Sequence, residues 1–328
     1  MRRVHFLNVK NGACSLIQHT NGNVSMFDVN CAKALTANAA VKMSAVYERK
    51  GWEPVPGNYH QKETPDNPLE YLVKHGIDSI FRFILTHPDM DHLGGIKALF
   101  SAIPVINFWD TANTKEFDED ELSGRLKADW EFYKILRDSD PDTSPRRLLM
   151  YSGDKRDYFK DQGLRILSPT KELVQAANKR KNWNDASYVV LYTTINPTKK
   201  ILFTGDSEDD TWEHILENWK DAVSDVDVLI APHHGRHSGR DYKFLKVVNP
   251  RLTLFGNALT EHQAHQYWNR RGLTILTNNQ AGYVVLDFVD DGIKVFVKHE
   301  EYAQNLTEHN GWETEYSASC DGWYLGTI

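Results

Sequence analysis

The stretch Phe83-Ile84-Leu85-Thr86-His87-Pro88-Asp89-Met90-Asp91-His92-Leu93-Gly94-Gly95 constrains this chain more than any other. It opens as a buried strand, an apolar run flanked by Ile80 and Phe81 with no helical stripe. Pro88 cannot extend a ladder, so the strand should stop near His87. His87, Asp89, Asp91 and His92 follow within six residues. All four side chains are metal-ligand types, and their alternate spacing lets a tight turn aim two pairs at one point. Gly94-Gly95 allows a close backbone turn, and Ile96-Lys97-Ala98-Leu99-Phe100 can begin a helix. The alternative is a solvated acidic turn. Four ligand types directly after a buried strand favour metal.

This stretch resembles the first metal motif of the metallo-β-lactamase superfamily, H-x-H-x-D-H, with Asp89 at the third position. The form His-Pro-Asp-x-Asp-His-x-Gly-Gly is similar to the variant in the soluble hydrolase domain of the competence DNA-uptake protein ComEC. The resemblance implies an α/β/β/α sandwich with the site along one edge of two sheets.

At 328 residues the chain can bury a sizeable core. Its 41% hydrophobic and 25% charged content are those of an ordinary globular protein. A formal charge of -7 argues against a broad nonspecific nucleic-acid coat. It leaves room for a phosphate ester at a site whose metal ions supply local positive charge. Cys14, Cys31 and Cys320 are too few and scattered for a disulfide framework or a Cys-rich zinc site, so reduced thiols are expected. No long apolar leader and no run near the ~18 residues of a membrane span are visible, so a cytoplasmic location is expected.

In order, strands are expected over 4–9, 15–18 and 24–29, the first two forming a hairpin around Asn11-Gly12. A helix is expected over 32–47, a loop over 51–68 with four prolines, and a short helix over 68–76. A strand over 104–109 precedes a charged stretch. That stretch holds one amphipathic helix, with Leu122, Leu126, Trp130, Tyr133, Ile135 and Leu136 on a common side. Further strands are expected over 164–167, 188–194, 201–204, 226–230, 252–255, 273–276, 283–288 and 293–297. Residues 171–180 read as a short helix or loop, and 211–219 and 262–271 suit helices. One hydrolase domain is expected over 1–298, with irregular insertions near 31–67 and 111–160. Residues 299–328 are expected to form a docked tail.

Polar motifs recur at strand ends. Asp206 follows Ile201-Leu202-Phe203-Thr204-Gly205, and the superfamily pattern implies that it bridges two metals. Pro232-His233-His234-Gly235-Arg236-His237-Ser238 ends another strand and resembles the Pro-His-His-Gly-Ser-x-x-Ser of the ComEC-like pattern. Arg236 replaces a Ser and can meet an anion, and Ser238 stands one place early. Asn184-Asp185-Ala186-Ser187 resembles the pattern's Asn-x-x-Ser, and Asn257 with His262 or His265 resembles its late Asn…His element. The family's first turn is usually Asp-Val-Gly-Gln-Gly-Asp. Here Asn8-Val9-Lys10-Asn11-Gly12-Ala13 lacks both acids.

What the resemblance implies is two divalent ions, Mn²⁺ or Zn²⁺, with His87 and Asp89 on one and Asp91 and His92 on the other. Asp206 would lie between them, and one of His233 and His234 would complete the second set. Asp91 and His234 are the candidate catalytic residues. Asn184, Ser187, Arg236, Ser238, Asn257, His262 and His265 are candidates for substrate binding. Asp89 makes the first set harder, which favours Mn²⁺. The implied reaction is phosphodiester hydrolysis of a nucleic acid or nucleotide. The alternatives are hydrolysis of lactones, thioesters or β-lactams on the same fold, and a non-catalytic metal-binding module.

Overall fold

A computed structural model of the chain describes residues 2–328 apart from 32–54, 56, 118–121, 123, 141, 157–158, 160–161, 196 and 258–262. The first strands are β1 (Arg3–Phe6), β2 (Ser15–Gln18), β3 (Val24–Phe27), β4 (Ile80–Ile84), β5 (Val105–Asp110) and β6 (Arg146–Leu149). Then come β7 (Leu164–Ser168), β8 (Val189–Thr193), β9 (Lys200–Phe203), β10 (Val228–Ile230), β11 (Leu252–Phe255) and β12 (Ile275–Thr277). The last are β13 (Val284–Val289), β14 (Gly292–Val297), β15 (Tyr316–Ser317) and β16 (Gly322–Thr327). They form two sheets, in spatial order β15-β16-β14-β13-β1-β2-β3-β4-β5-β6 and β12-β11-β10-β9-β8-β7.

The sheets pack face to face. Val4, Phe6, Ile17, Phe27, Ile84 and Trp109 of the larger sheet meet Tyr188, Val190, Ile201, Phe203, Val228 and Leu254 of the smaller one in one buried cluster. Period-two alternation sends the other side chains of these strands outward, where helices cover them. On the larger sheet, Leu16, Met26, Phe83 and Phe108 pack with Leu72, Ile96, Leu99, Trp130 and Tyr133 from the helices Pro68–Lys74, Ile96–Ala102 and Gly124–Arg137. On the smaller sheet, Leu191, Leu202, Leu229 and Phe255 pack with Trp212, Ile215, Leu245 and Trp268. Strands covered on both faces need the continuous apolar runs seen at 83–85, 201–203 and 228–230. The result is the α/β/β/α sandwich that the sequence resemblance implies.

Topology places the polar motifs. β3, β4 and β5 run parallel in one sheet, and β9, β10 and β11 run parallel in the other. Open parallel sheets bind ligands outside the carboxyl ends of their strands. Asp28 follows β3, His87 follows β4, Asp206 follows β9 and His233-His234 follow β10, so all reach the same edge. Beneath them Phe27 and Phe203 stack across the two sheets, ring centroids 4.2 Å apart, which fixes Asp28 and Asp206 in relation to each other.

Several expectations need correction. The helix Gly124–Arg137 buries Trp130, Tyr133 and Leu136, but Ile135 is 67% exposed and Leu126 is at the rim; position 135 lies about 200° around the helix from 133. Within 111–160, β6 pairs parallel with β5, and its half-exposed side chains gave no alternation to read. Residues 171–180 are a helix, capped by Thr170 Oγ1 accepting from Leu173 N. The helix expected over 262–271 is the shorter His265–Asn269. The helix expected over 32–47 lies outside the described residues. Residues 299–328 supply the helix Glu300–His309, whose Tyr302, Ala303 and Leu306 enter the inter-sheet core, and two strands of the larger sheet.

The fold also buries histidines away from the site. Burial lowers His5 and His19 to about 3 and His265 to about 4. Unfolded, each returns to about 6.5, so below that pH the unfolded chain binds more protons than the native one. Stability from these groups is full above about 6.5 and is lost as pH falls toward their folded values. At pH 5 each contributes up to about 2 kcal/mol of destabilisation. The melting temperature of chelator-stripped protein is therefore expected to fall steeply between pH 7 and 5; a flat profile would contradict this.

Candidate metal centre

The turn after β4 brings its ligands together through local geometry. Asp89 starts the single helical turn Met90–Leu93, and His92 N donates to Asp89 O at 2.9 Å. His87 and His92 end fully buried with ring centroids 4.1 Å apart, while Asp89 and Asp91 side chains remain 34% and 38% exposed. The solvent-facing side of this edge is therefore the one bearing Asp89 and Asp91.

The His pair after β10 depends on backbone strain. His233 and His234 both lie in the left-handed region, at φ 53° and 56°, which sends their rings in different directions. Gly235 follows at φ +80°, and a Cβ there would lie 1.9 Å from the Phe255 ring. His233 N donates to Gly205 O at 3.0 Å and so ties this loop to the one carrying Asp206.

Asp206 divides the cluster in two. Its Oδ1 faces His92 Nε2 at 3.2 Å and His234 Nε2 at 3.8 Å. Its Oδ2 faces His87 Nε2 at 3.7 Å and His233 Nε2 at 3.5 Å. Asp91 joins the first group, 3.3 Å from His234 Nε2 and 4.0 Å from His92 Nε2. Asp89 joins the second, with Oδ1 3.7 Å from His87 Nε2. His92 also lies within ligand reach of His87 and Asp206 together, so the groups adjoin.

These residues fit divalent metal. His87 Nε2, His92 Nε2, His234 Nε2 and Asp206 Oδ1 are buried with no hydrogen-bond partner, and all four point into the cluster. Ligands bonded at about 2.0–2.2 Å to one tetrahedral ion stand about 3.4 Å apart. The separations here, 3.2 to 4.0 Å, are edges of that size. The electrostatics agree. Burial works against charge on Asp206, but His92, His234, His233 and His87 outweigh it and hold its carboxyl well below the ordinary range. Burial also opposes charge on His92, but Asp206, Asp28 and Asp91 hold its pKa well above the usual value. Burial lowers His87, with His92 adding to it, and burial first lowers His233 to about 4.

The structure adds residues that the motifs did not single out. Asp28 Oδ2 pairs with His92 Nδ1 at 2.8 Å and also accepts from Thr86 Oγ1 at 2.7 Å, fixing which ring nitrogen faces the cluster. Lys115 Nζ pairs with Asp89 Oδ1. Arg240, buried, reaches His233 Nδ1 at 3.3 Å and Asp206 O at 3.5 Å. A carboxylate ending a strand was the available signal for Asp28. The two cations had none. Asp28→Ala is expected to lower metal affinity about 10–100-fold while His92 remains present, measured by calorimetric titration.

The remaining candidates take varied places. Ser187 is fully buried and its Oγ accepts from Asp206 N at 3.3 Å, so it positions Asp206 rather than facing solvent. Asn184 lies in the 3₁₀ turn Trp183–Ala186, and its carbonyl accepts from Ser187 N. Arg236 follows the His pair, half-buried. Ser238 is exposed and accepts from Arg240 Nε at 3.0 Å. Asn257 is buried and donates to Asn8 Oδ1 at 2.6 Å, which ties the first turn to the site edge without its acids. His265 packs edge-on against Phe255 in the outer layer. His262 lies outside the described residues.

No protein-family model and no curated protein matches this chain. Solved structures do. The metallo-β-lactamase-fold protein YhfI from Bacillus subtilis is 9% identical over 84% of this chain and 96% of its own, with a TM-score of 0.44. A diphosphatase of the PhnP family is 11% identical over 87% and 98%, with a TM-score of 0.41. Unliganded yeast PDE1 is 9% identical over 84% and 98%, also at 0.41. At these values none of the three lends its activity to this chain. Among the described residues no helix is long and apolar enough to cross a membrane.

Proposed function

We propose that this chain is a metal-dependent hydrolase that cleaves phosphodiesters, with a nucleic acid or nucleotide as substrate. The observation that carries the proposal is the division of the cluster by Asp206, with orphaned buried ligand atoms around it. His87, Asp89, His233 and Asp206 would hold one divalent ion; Asp91, His92, His234 and Asp206 would hold the other. Such ions supply Lewis acidity toward an ester and make water acidic enough to attack at neutral pH.

The protein's own groups do the rest. Asp28 keeps the His92 proton on Nδ1, so Nε2 stays a ligand. Asp91, the more open carboxylate of its set, can accept a hydrogen bond from the attacking water and orient it. His234, almost fully buried beside Asp91, serves as a ligand rather than a proton carrier. Lys115, Arg236 and Arg240 surround the cluster with positive charge, which suits a phosphate more than an apolar ring. The resemblance to the ComEC hydrolase domain supports the same substrate class, and Mn²⁺ is favoured by the harder, Asp89-bearing set.

The test gives stripped protein Mn²⁺ or Zn²⁺ and a panel of linear DNA, RNA, cyclic dinucleotides, a chromogenic diester, a lactone and nitrocefin. Diester cleavage faster with Mn²⁺ than lactone or β-lactam turnover with Zn²⁺ is expected. Lactone or β-lactam turnover without diester cleavage would move the chain to another hydrolase class. Metal binding without turnover would make it a binding module.

A further inference from the structure

One of the two ligand sets already contains a cation. Lys115 Nζ lies 2.5 Å from Asp89 Oδ1, and the residue is only 8% exposed. Its ammonium stands over the rings of Phe117 and Trp183, at 4.7 and 5.1 Å from their centroids. The segment that carries it is pinned from both sides. Lys115 O accepts from Arg137 Nη1 at 2.7 Å, Lys115 N donates to Asn113 Oδ1 at 3.2 Å, and Thr114 N donates to Asn178 Oδ1 at 2.9 Å. This is not a surface lysine resting against a convenient acid. Asp91, the matching carboxylate of the other set, has His92 and His234 as its ion-pair partners among the described residues.

We propose that Lys115 makes the two sets fill unequally: the Asp91–His92–His234 side takes the first ion, and the Asp89–His87 side takes a second only by displacing the ammonium from Asp89. This rests on the metal-binding reading above and goes beyond it, because it assigns an order and the residue that imposes it. A divalent ion approaching Asp89 Oδ1 meets a positive charge a few ångströms away in a half-closed site, where like charges are weakly screened. Breaking the pair leaves a buried ammonium without its carboxylate, which is costly. Phe117 and Trp183 already attract the ammonium where it stands, which adds to the cost of moving it. Asp91 imposes no such exchange.

The test titrates Mn²⁺ into the metal-free 328-residue chain and follows binding by calorimetry, with bound metal counted after dialysis. Wild type, Lys115→Met and Lys115→Arg are compared. Methionine keeps most of the aliphatic stem and its packing without the charge; arginine keeps the charge. Wild type is expected to bind in two steps separated by about tenfold or more in affinity. Lys115→Met should tighten the second step by about tenfold or more and leave the first unchanged, while Lys115→Arg keeps the wild-type gap. Lys115→Gln serves the same comparison if the methionine variant does not fold. Equal affinities in wild type, or a gap unchanged on removing the charge, would overturn the proposal alone. No binding to any of the proteins would overturn the metal reading beneath it.

Discussion

Asp206→Ala is expected to empty the metal centre, taking bound Mn²⁺ from about two ions per chain to none that survives dialysis. Asp206 gives one carboxylate oxygen to each side of the cluster. Its loss therefore removes a ligand from both sets at once. It also removes the largest favourable charge on His92. The backbone around it is held independently, since Asp206 N bonds Ser187 Oγ and Gly205 O accepts from His233 N, so the fold should survive. Asp206→Asn, with the same shape and no charge, separates lost ligation from lost packing. Metal analysis alongside circular dichroism decides the matter, and two ions retained in a folded Asp206→Ala protein would refute the site.

Asp91→Ala is expected to abolish hydrolysis, with a loss of about 10²–10⁴-fold or more, while leaving the fold intact. Asp91 is the most exposed carboxylate of the cluster, and its side chain supports no core packing. Its backbone contribution persists in the variant, since Ala13 N donates to Asp91 O at 3.2 Å. What disappears is a ligand and the acceptor best placed to orient an attacking water. Turnover of a chromogenic diester near the wild-type rate, in protein free of contaminating nuclease, would contradict this role. The two variants differ in metal content as well, because Asp91→Ala removes a ligand from one set only and keeps Asp206 with His87 and His233.

Most members of the candidate cluster are legible in the sequence. His87, Asp206 and the pair His233-His234 each follow an apolar strand, and the end of a parallel strand is where a sheet sandwich presents side chains. Asp28 and Lys115 were not legible in the same way. Asp28 meets His92 across 64 positions of sequence and Lys115 meets Asp89 across 26, and only the packing of whole layers brings them together. Ser187 is a substrate-binding candidate in the sequence because Asn184-Asp185-Ala186-Ser187 resembles the ComEC-like Asn-x-x-Ser. The end of the turn Trp183–Ala186, ahead of β8, places Ser187 inward onto Asp206 N. The end of the chain was hard to place for another reason. Its two strands join the larger sheet far from β1 in order, and their half-exposed aromatic side chains show no clean alternation.

That C-terminal pairing bears on how the protein can be shortened. β16 is hydrogen-bonded along β14 from Lys294 to Val297, Leu325 is fully buried, and Ile328 reaches the core between the sheets. Arg3 clasps the same region, bonding Asp287 and both the carbonyl and hydroxyl of Ser319. Beyond β16 only the two residues of β15 remain as a boundary, a short rim with few open hydrogen-bonding groups. A chain stopped at 298 would bare the edge of β14 that β16 covers from Lys294 to Val297, leaving its backbone groups open to pair with another molecule. A form truncated at 298 is therefore expected to sediment as larger oligomers than the 328-residue chain does, and equal sedimentation of the two would contradict this.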